Sequence, residues 1–71
     1  MTKYKYQVLL SYLHNASNKL LPLNLAPDRY FENKKKLFDW IDDEMKKNGT
    51  KIYKVLQIFI LDQKELEELT L

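Results

Sequence analysis

His14 is the only histidine of this 71-residue chain, which makes it the first candidate for acid–base chemistry. A histidine base needs an orienting partner and a pocket, and a nucleophile activated by it would be a serine or cysteine in a recognisable motif. The chain has no cysteine, and none of its serines stands in such a motif. We therefore interpret His14 as a polar turn residue, and the sequence predicts no catalytic residue and no enzyme.

An acidic cluster is the second candidate site, formed by Asp39, Asp42, Asp43 and Glu44. Asp39 and Asp43 are four residues apart, so a helix would place them on one face. They could bind a divalent cation or a basic partner, but a calcium loop of the EF-hand type needs alternating oxygens around a glycine. We favour a solvated helix face, with an acidic surface for a partner as the alternative. The sequence predicts no metal and no cofactor.

Basic residues suggest a nucleic-acid interface as a further alternative. Those that could form a patch are Lys3, Lys5, Arg29, Lys34, Lys35 and Lys36. Modules that bind single strands interleave such charges with exposed aromatic side chains on which bases stack. Tyr4, Tyr6 and Tyr12 share one face of a predicted strand and are candidates for that role. The net charge of +2 is too small to identify such a module by itself, so we keep nucleic-acid binding as the second hypothesis.

The first part of the chain predicts two strands. Residues 4–13 alternate between apolar or aromatic and other side chains, which favours a strand. Residues 14–18 contain Asn and Ser, which are typical of turns. Residues 19–25 predict a second strand, in which Pro22 removes a backbone donor and so indicates a sheet edge.

The only long helical pattern runs from Asn33 to Asn48. Its apolar stripe consists of Leu37, Phe38, Ile41 and Met45, with Trp40 on its flank. Asn33 is a candidate N-cap. Gly49, the only glycine, stands where a helix commonly ends on a left-handed residue.

Residues 50–61 predict a third strand that is apolar on both faces. Strict alternation places Ile52, Leu56, Ile58 and Ile60 on one face and Tyr53, Val55, Phe59 and Leu61 on the other. This pattern predicts that the third strand is central in the sheet. Asp62 with Glu65 resembles a capping box and predicts a short C-terminal helix, on which Leu66 and Leu69 would share a face.

Together these elements predict an α+β fold over residues 1–71 as one domain. The order is β-β-α-β plus a short C-terminal helix, with a small antiparallel sheet of about three strands and the main helix on one face. One layer of helix covers only one face of a sheet. A core of this size supplies a margin of only about 3–5 kcal/mol. With disulfides excluded, oligomerisation or partner binding is the remaining means of stabilisation.

The function predicted from these features is a non-enzymatic interaction protein of the inhibitor or adaptor type. We expect it to bind another protein and to form a homodimer through the first strand or the uncovered sheet face. The expected interface anchors are aromatic, because aromatic residues dominate binding hot spots: Tyr4, Tyr6, Tyr12, Tyr53 and Phe59. No stretch is long and apolar enough to span a bilayer and no signal peptide is apparent, so we expect a cytoplasmic protein. The abundance of lysine suggests a bacterial or phage origin.

Overall fold

The described residues form a three-stranded antiparallel sheet with one helix, so the predicted α+β class is confirmed, whereas the predicted second helix is not among these elements. In the computed structural model, which describes residues 1–65, the elements are β1 (Thr2–His14), β2 (Lys19–Leu25), α1 (Lys34–Lys47) and β3 (Thr50–Glu65). The strand order in the sheet is β2-β1-β3. Within the described residues, no helix is long and apolar enough to cross a membrane.

β1 is the central strand, so the prediction that the third strand is central was wrong. β1 pairs with β3 from Thr2 to His14, and with β2 only from Val8 to His14. Alternation along β1 buries Tyr6, Val8 and Leu10 on one face. β2 lies at a sheet edge, as Pro22 indicated. The predicted route to a dimer through the first strand is therefore closed from Val8 onward, where β1 has a strand on each side.

β3 carries three bulges, which change the faces assigned by strict alternation. The register with β1 shifts three times and leaves Tyr53, Leu56 and Leu61 as extra residues without a direct partner. As a result Val55, opposite Leu10, lies on the helix face together with Ile52, Ile58 and Ile60. Lys54, Gln57 and Phe59 lie opposite the other set of β1 residues. This second side of the sheet, away from α1, is called the open face below.

The core lies between α1 and the helix face of the sheet. Its buried apolar side chains are Tyr6, Val8, Leu10, Phe31, Leu37, Ile41 and Met45. The predicted stripe of α1 is confirmed, since Leu37, Ile41 and Met45 are buried and Phe38 and Trp40 pack at its border.

Both predicted ends of α1 are confirmed by their hydrogen bonds and dihedral angles. The side chain of Asn33 accepts the Lys36 backbone N–H at 2.9 Å and caps the N-terminus. At the other end Gly49 has φ of +68°, the left-handed conformation that glycine adopts without strain. The chain then turns directly into β3, and the Thr50 hydroxyl donates to the Met45 carbonyl at 3.0 Å.

The predicted helix start at Asp62 was wrong, because residues 62–65 extend β3. They pair with residues 2–5 of β1, and this pairing outweighs a local capping signal. Glu65 accepts hydrogen bonds from the Thr2 hydroxyl and, at 3.2 Å, from the N-terminal amine. Leu66 and Leu69, which were predicted to continue the helix, lie outside the described residues.

Candidate protein interface

Exposed apolar side chains are concentrated on β3. Nine large apolar residues among those described are exposed, and six of them belong to this strand. The six are Tyr53, Val55, Leu56, Phe59, Ile60 and Leu61, and they are called the β3 apolar patch below. β3 is also an edge strand. Its outer edge therefore presents backbone N–H and C=O groups that no strand of the described chain pairs with, next to apolar side chains.

Part of the β3 apolar patch lies on the helix face. Val55 is opposite Leu10 and Ile60 is opposite Tyr6. Both β1 partners are buried, whereas Val55 is 37% and Ile60 57% exposed. The apolar side chains of the sheet that are buried in the core all belong to β1, so the cover provided by α1 does not extend to Val55 and Ile60 of β3.

Phe59 and Leu56 of the patch border the open face. Phe59 lies opposite Gln7 on that face and is 39% exposed. Leu56 contributes to a shallow depression of about 420 Å³, which continues over Leu9, Pro22 and Asn24. No element of the described chain covers this apolar part of the open face, for which the sequence predicted cover by another part of the chain or by another molecule.

The five aromatic residues predicted as interface anchors fall into two groups. Tyr53 and Phe59 are exposed on β3. Tyr6 is only 3% exposed and belongs to the core, while Tyr4 and Tyr12 are half-buried and pack against it. The structure therefore leaves the first two open to a partner and places the other three under or beside α1.

Four aliphatic residues of the β3 apolar patch were not proposed as anchors from the sequence. They are Val55, Leu56, Ile60 and Leu61. The signal that could have identified them was the same apolar pattern on both faces, which we had interpreted as a buried central strand. An edge strand with an apolar interface produces the same pattern, so composition alone did not distinguish the two.

Polar contacts cover one end of the open face. Lys5 Nζ lies 2.7 Å from Asp28 Oδ1; this contact raises the pKa of Lys5 and lowers the pKa of the Asp28 carboxyl. The Tyr30 hydroxyl donates to Asp62. That hydrogen bond raises the pKa of Tyr30 and lowers the pKa of Asp62. Lys64 completes the group, with its amine 5.8 Å from the centre of the Tyr30 ring.

The predicted basic patch is divided among different elements. Lys3 and Lys5 belong to β1, and Lys5 is paired with Asp28. The Arg29 guanidinium stacks on two rings of the core border, 5.2 Å from the centre of Phe31 and 5.8 Å from that of Trp40. The predicted lysines of the first helical turn, Lys34, Lys35 and Lys36, are exposed.

The predicted acidic surface lies on the exposed side of α1. Asp39, Asp42 and Asp43 are all exposed, and Asp39 is 3.6 Å from the amine of Lys35 one turn earlier. In residues 1–65, no group of three His, Cys, Asp or Glu side chains is arranged to hold a metal ion.

His14 was predicted as a turn residue, but it is the last residue of β1 and pairs with Lys19 and Thr50, just before the turn. The Ser17 hydroxyl is 3.4 Å from His14 Nδ1. This distance is long for a hydrogen bond involving a hydroxyl, and Ser17 lies in an exposed turn.

No known family profile matches this sequence, and no curated protein or solved structure is significantly similar to it. The case for a function therefore depends on the geometry of the chain alone.

Proposed function

We propose that this chain is a non-enzymatic protein-binding module, of the inhibitor or adaptor type, that binds through β3. The observation that carries the proposal is the β3 apolar patch on an edge strand. An extended partner segment can add to such an edge through backbone hydrogen bonds, while the apolar side chains provide the contact area. The open sheet edge and the exposed side chains would then be used by the same partner.

The composition of β3 supports the proposal that a partner covers this strand when the protein functions. Residues 55–61 contain no charge, no proline and no glycine. An exposed edge of this kind is an aggregation hazard, which proteins usually reduce with charges, prolines or short edge strands. The segment 55–61 is bordered by a charged residue on each side, Lys54 before it and Asp62 after it. A bound partner removes the hazard without further charge in the strand.

Tyr53 and Phe59 are the proposed aromatic anchors of this interface. Tyr53 is 63% exposed, and large aromatic side chains bury much area at a low cost in conformational entropy. Leu56 and Ile60, which are also exposed, would lie beside them and exclude water from the contact.

The experiment that tests the proposal is affinity capture with matched variants as bait. Leu56→Lys places a charge within the β3 apolar patch. Leu20→Lys makes the same change on β2, at a residue that is 51% exposed against 56% for Leu56. We expect a protein, which can be the chain itself, to bind wild type and Leu20→Lys saturably and to be lost with Leu56→Lys. Equal capture by all three baits, or by none, would contradict binding through β3.

Nucleic-acid binding is kept as a second candidate because three adjacent lysines, Lys34 to Lys36, are exposed at the start of α1. It has less support, since Lys5 and Arg29 are engaged within the chain. Its signature is an affinity for oligonucleotides that falls steeply with salt concentration. Neutralising the three lysines should abolish that binding, and an absence of binding at about 50 mM salt would rule it out.

A further inference from the structure

The exposed aliphatic residues of β3 are arranged symmetrically in sequence about Ile58. Leu56 and Ile60 each lie two residues from it, and Val55 and Leu61 each lie three residues from it. All four are exposed apolar side chains.

The charges that border the β3 apolar patch follow the same symmetry. Lys54 and Asp62 each lie four residues from Ile58, with opposite charges. An antiparallel pair of identical strands centred on Ile58 would therefore place Leu56 opposite Ile60 and Val55 opposite Leu61, and each Lys54 opposite an Asp62. The exposed aromatic residues are not matched in this way, since Phe59 would lie opposite Gln57 and Tyr53 opposite Gln63.

From this symmetry we propose that the partner bound by β3 is a second copy of this chain, paired antiparallel with Ile58 on the two-fold axis. The inference rests on the proposed function and names its partner. A two-fold interface uses the same surface on both copies, so it must be self-complementary. Residues 54–62 meet that requirement in the pairs Leu56–Ile60, Val55–Leu61 and Lys54–Asp62, with Gln57–Phe59 as the one mixed pair, whereas a foreign strand would need no such symmetry.

The faces of the sheet agree with this register. Lys54, Gln57, Phe59 and Asp62 all lie on the open face, as their β1 partners show. In the proposed pair Lys54 faces Asp62 of the second copy and Gln57 faces Phe59 of the second copy. In these two pairs open-face residues meet open-face residues, as neighbouring strands of one sheet require.

The bulges of β3 agree with the register as well. Between Lys54 and Gln57 the strand has two residues, of which Leu56 is the extra residue of a bulge. Between Phe59 and Asp62 it also has two residues, of which Leu61 is the extra one. The proposed register places these two segments opposite each other. Both strands have the same number of residues between matched pairs, so the bulges do not interrupt the pairing.

The Asp62 side chain can serve both contacts that the proposal gives it. Its carboxylate already accepts the Tyr30 hydroxyl and is exposed. A carboxylate has about four lone-pair positions, which leaves room for the amine of Lys54 from the second copy. The resulting assembly is a six-stranded antiparallel sheet in the order β2-β1-β3-β3-β1-β2, with both helices on the same face.

The first test is the molar mass from light scattering on a sizing column, over a dilution series. We expect a dimer for wild type and for Leu20→Lys, and half that mass for Leu56→Lys. Fluorescence of Trp40, the only tryptophan, checks that each variant is folded. A wild-type monomer at the highest soluble concentration would overturn the pairing, as would a Leu56→Lys variant that is still dimeric.

The second test reports the register. The chain has no cysteine, so a single introduced cysteine can form a disulfide only between copies. Residues directly opposite in an antiparallel pair have Cα atoms about 4.5–5.5 Å apart, within the range of about 4.4–6.8 Å that a disulfide spans. Ile58→Cys should therefore cross-link on mild oxidation.

Val55→Cys is the control for register. In the proposed pair, Val55 of one copy lies six residues along the strand from Val55 of the other, or about 20 Å at about 3.3 Å per residue. It should not cross-link within the dimer. Cross-linking of Val55→Cys in preference to Ile58→Cys would overturn the register.

The two proposals fail in different ways. A monomeric chain that captures another protein, with capture lost in Leu56→Lys, would overturn the pairing of copies and support protein binding through β3. A monomeric chain that captures no protein would overturn both.

Discussion

Phe31 and Tyr4 exchange two backbone hydrogen bonds, from Phe31 N to Tyr4 O at 2.7 Å and from Tyr4 N to Phe31 O at 2.8 Å. The bridge lies on β1 before Val8, where pairing with β2 begins. It therefore fixes the segment that leads into α1 to the central strand. The ring of Phe31, which is buried, then packs 5.9 Å from the ring of Trp40.

The first prediction concerns this buried ring. Phe31→Ala should destabilise the fold by about 3–5 kcal/mol, the usual cost of removing a buried aromatic side chain. This equals the whole margin of about 3–5 kcal/mol expected for a domain of this size, so the variant should be largely unfolded. Circular dichroism and Trp40 fluorescence measure the loss. Phe31→Leu, which keeps an apolar side chain, should remain folded, and a fully folded Phe31→Ala would contradict the packing described here.

The second prediction concerns the cap of α1. Asn33→Ala removes the acceptor for the Lys36 N–H and should cost about 0.5–2 kcal/mol of stability, measured by urea unfolding. Asn33→Asp keeps an acceptor and adds a negative charge at the positive end of the helix dipole, beside three lysines. It should be at least as stable as wild type. If Asn33→Asp were as unstable as Asn33→Ala, the cap would not be the cause.

The third prediction concerns the turn between α1 and β3. A Cβ at Gly49 would meet no atom within 4 Å, so any cost of substitution comes from the left-handed backbone and not from crowding. Gly49→Ala should lose about 1–2 kcal/mol. Gly49→Asn should lose less, because asparagine visits this conformation more readily. Equal losses in the two variants would argue against a left-handed residue 49.

The fourth prediction concerns pH. Asp62 has its pKa held below its ordinary value of 3.8 by the Tyr30 hydroxyl. Its contribution to stability is therefore present above that value and is lost as pH falls through the lowered pKa. The pKa of Tyr30 is raised above 10.0 by the same bond, so this contribution is fully present below pH 10.0 and is lost as pH rises through the raised value.

Asp62→Asn removes the charge in this pair, so both limbs of the stability–pH curve should become shallower. Asp42→Asn, at an exposed residue of α1, is the matched control and should leave the alkaline limb unchanged. Both substitutions are made in the Leu56→Lys background, so that self-association does not enter. Urea unfolding from pH 2 to pH 11 measures the curves, and identical curves for the two variants would contradict a role for the Tyr30–Asp62 bond.

The helix and its ends could be predicted from the sequence because their signals are local. The N-cap Asn33 and the C-terminal Gly49 each affect only the end of the helix beside them. The apolar stripe repeats at every turn of α1 and can be read directly from the sequence. The alternation of β1 and the edge position of β2 were also visible, the latter from Pro22. Each of these signals comes from residues that lie close together in the sequence.

The position of β3 could not be predicted in the same way. An apolar pattern on both faces is typical of a strand buried on both sides, but β3 is an edge strand with six exposed apolar residues. The bulges at Tyr53 and Leu56 occur without glycine, and they moved Lys54 and Val55 to faces opposite to those assigned by alternation. The signal at Asp62 and Glu65 was overridden by pairing with β1. All three features arise from long-range pairing, which no local pattern encodes.

The strand order also sets a schedule for folding on the ribosome. Among the four described elements β1 is synthesised before β2, so a hairpin with a short turn can form early. β3, which pairs with the whole length of β1, is the last of these four elements to be made. Until residue 65 has emerged from the ribosome, the edge of β1 that pairs with β3 stays unpaired. Every other nascent chain on the same messenger RNA exposes the same unpaired edge. Neighbouring ribosomes thus bring together unfinished chains at the stage when their sheets are most open to wrong pairing.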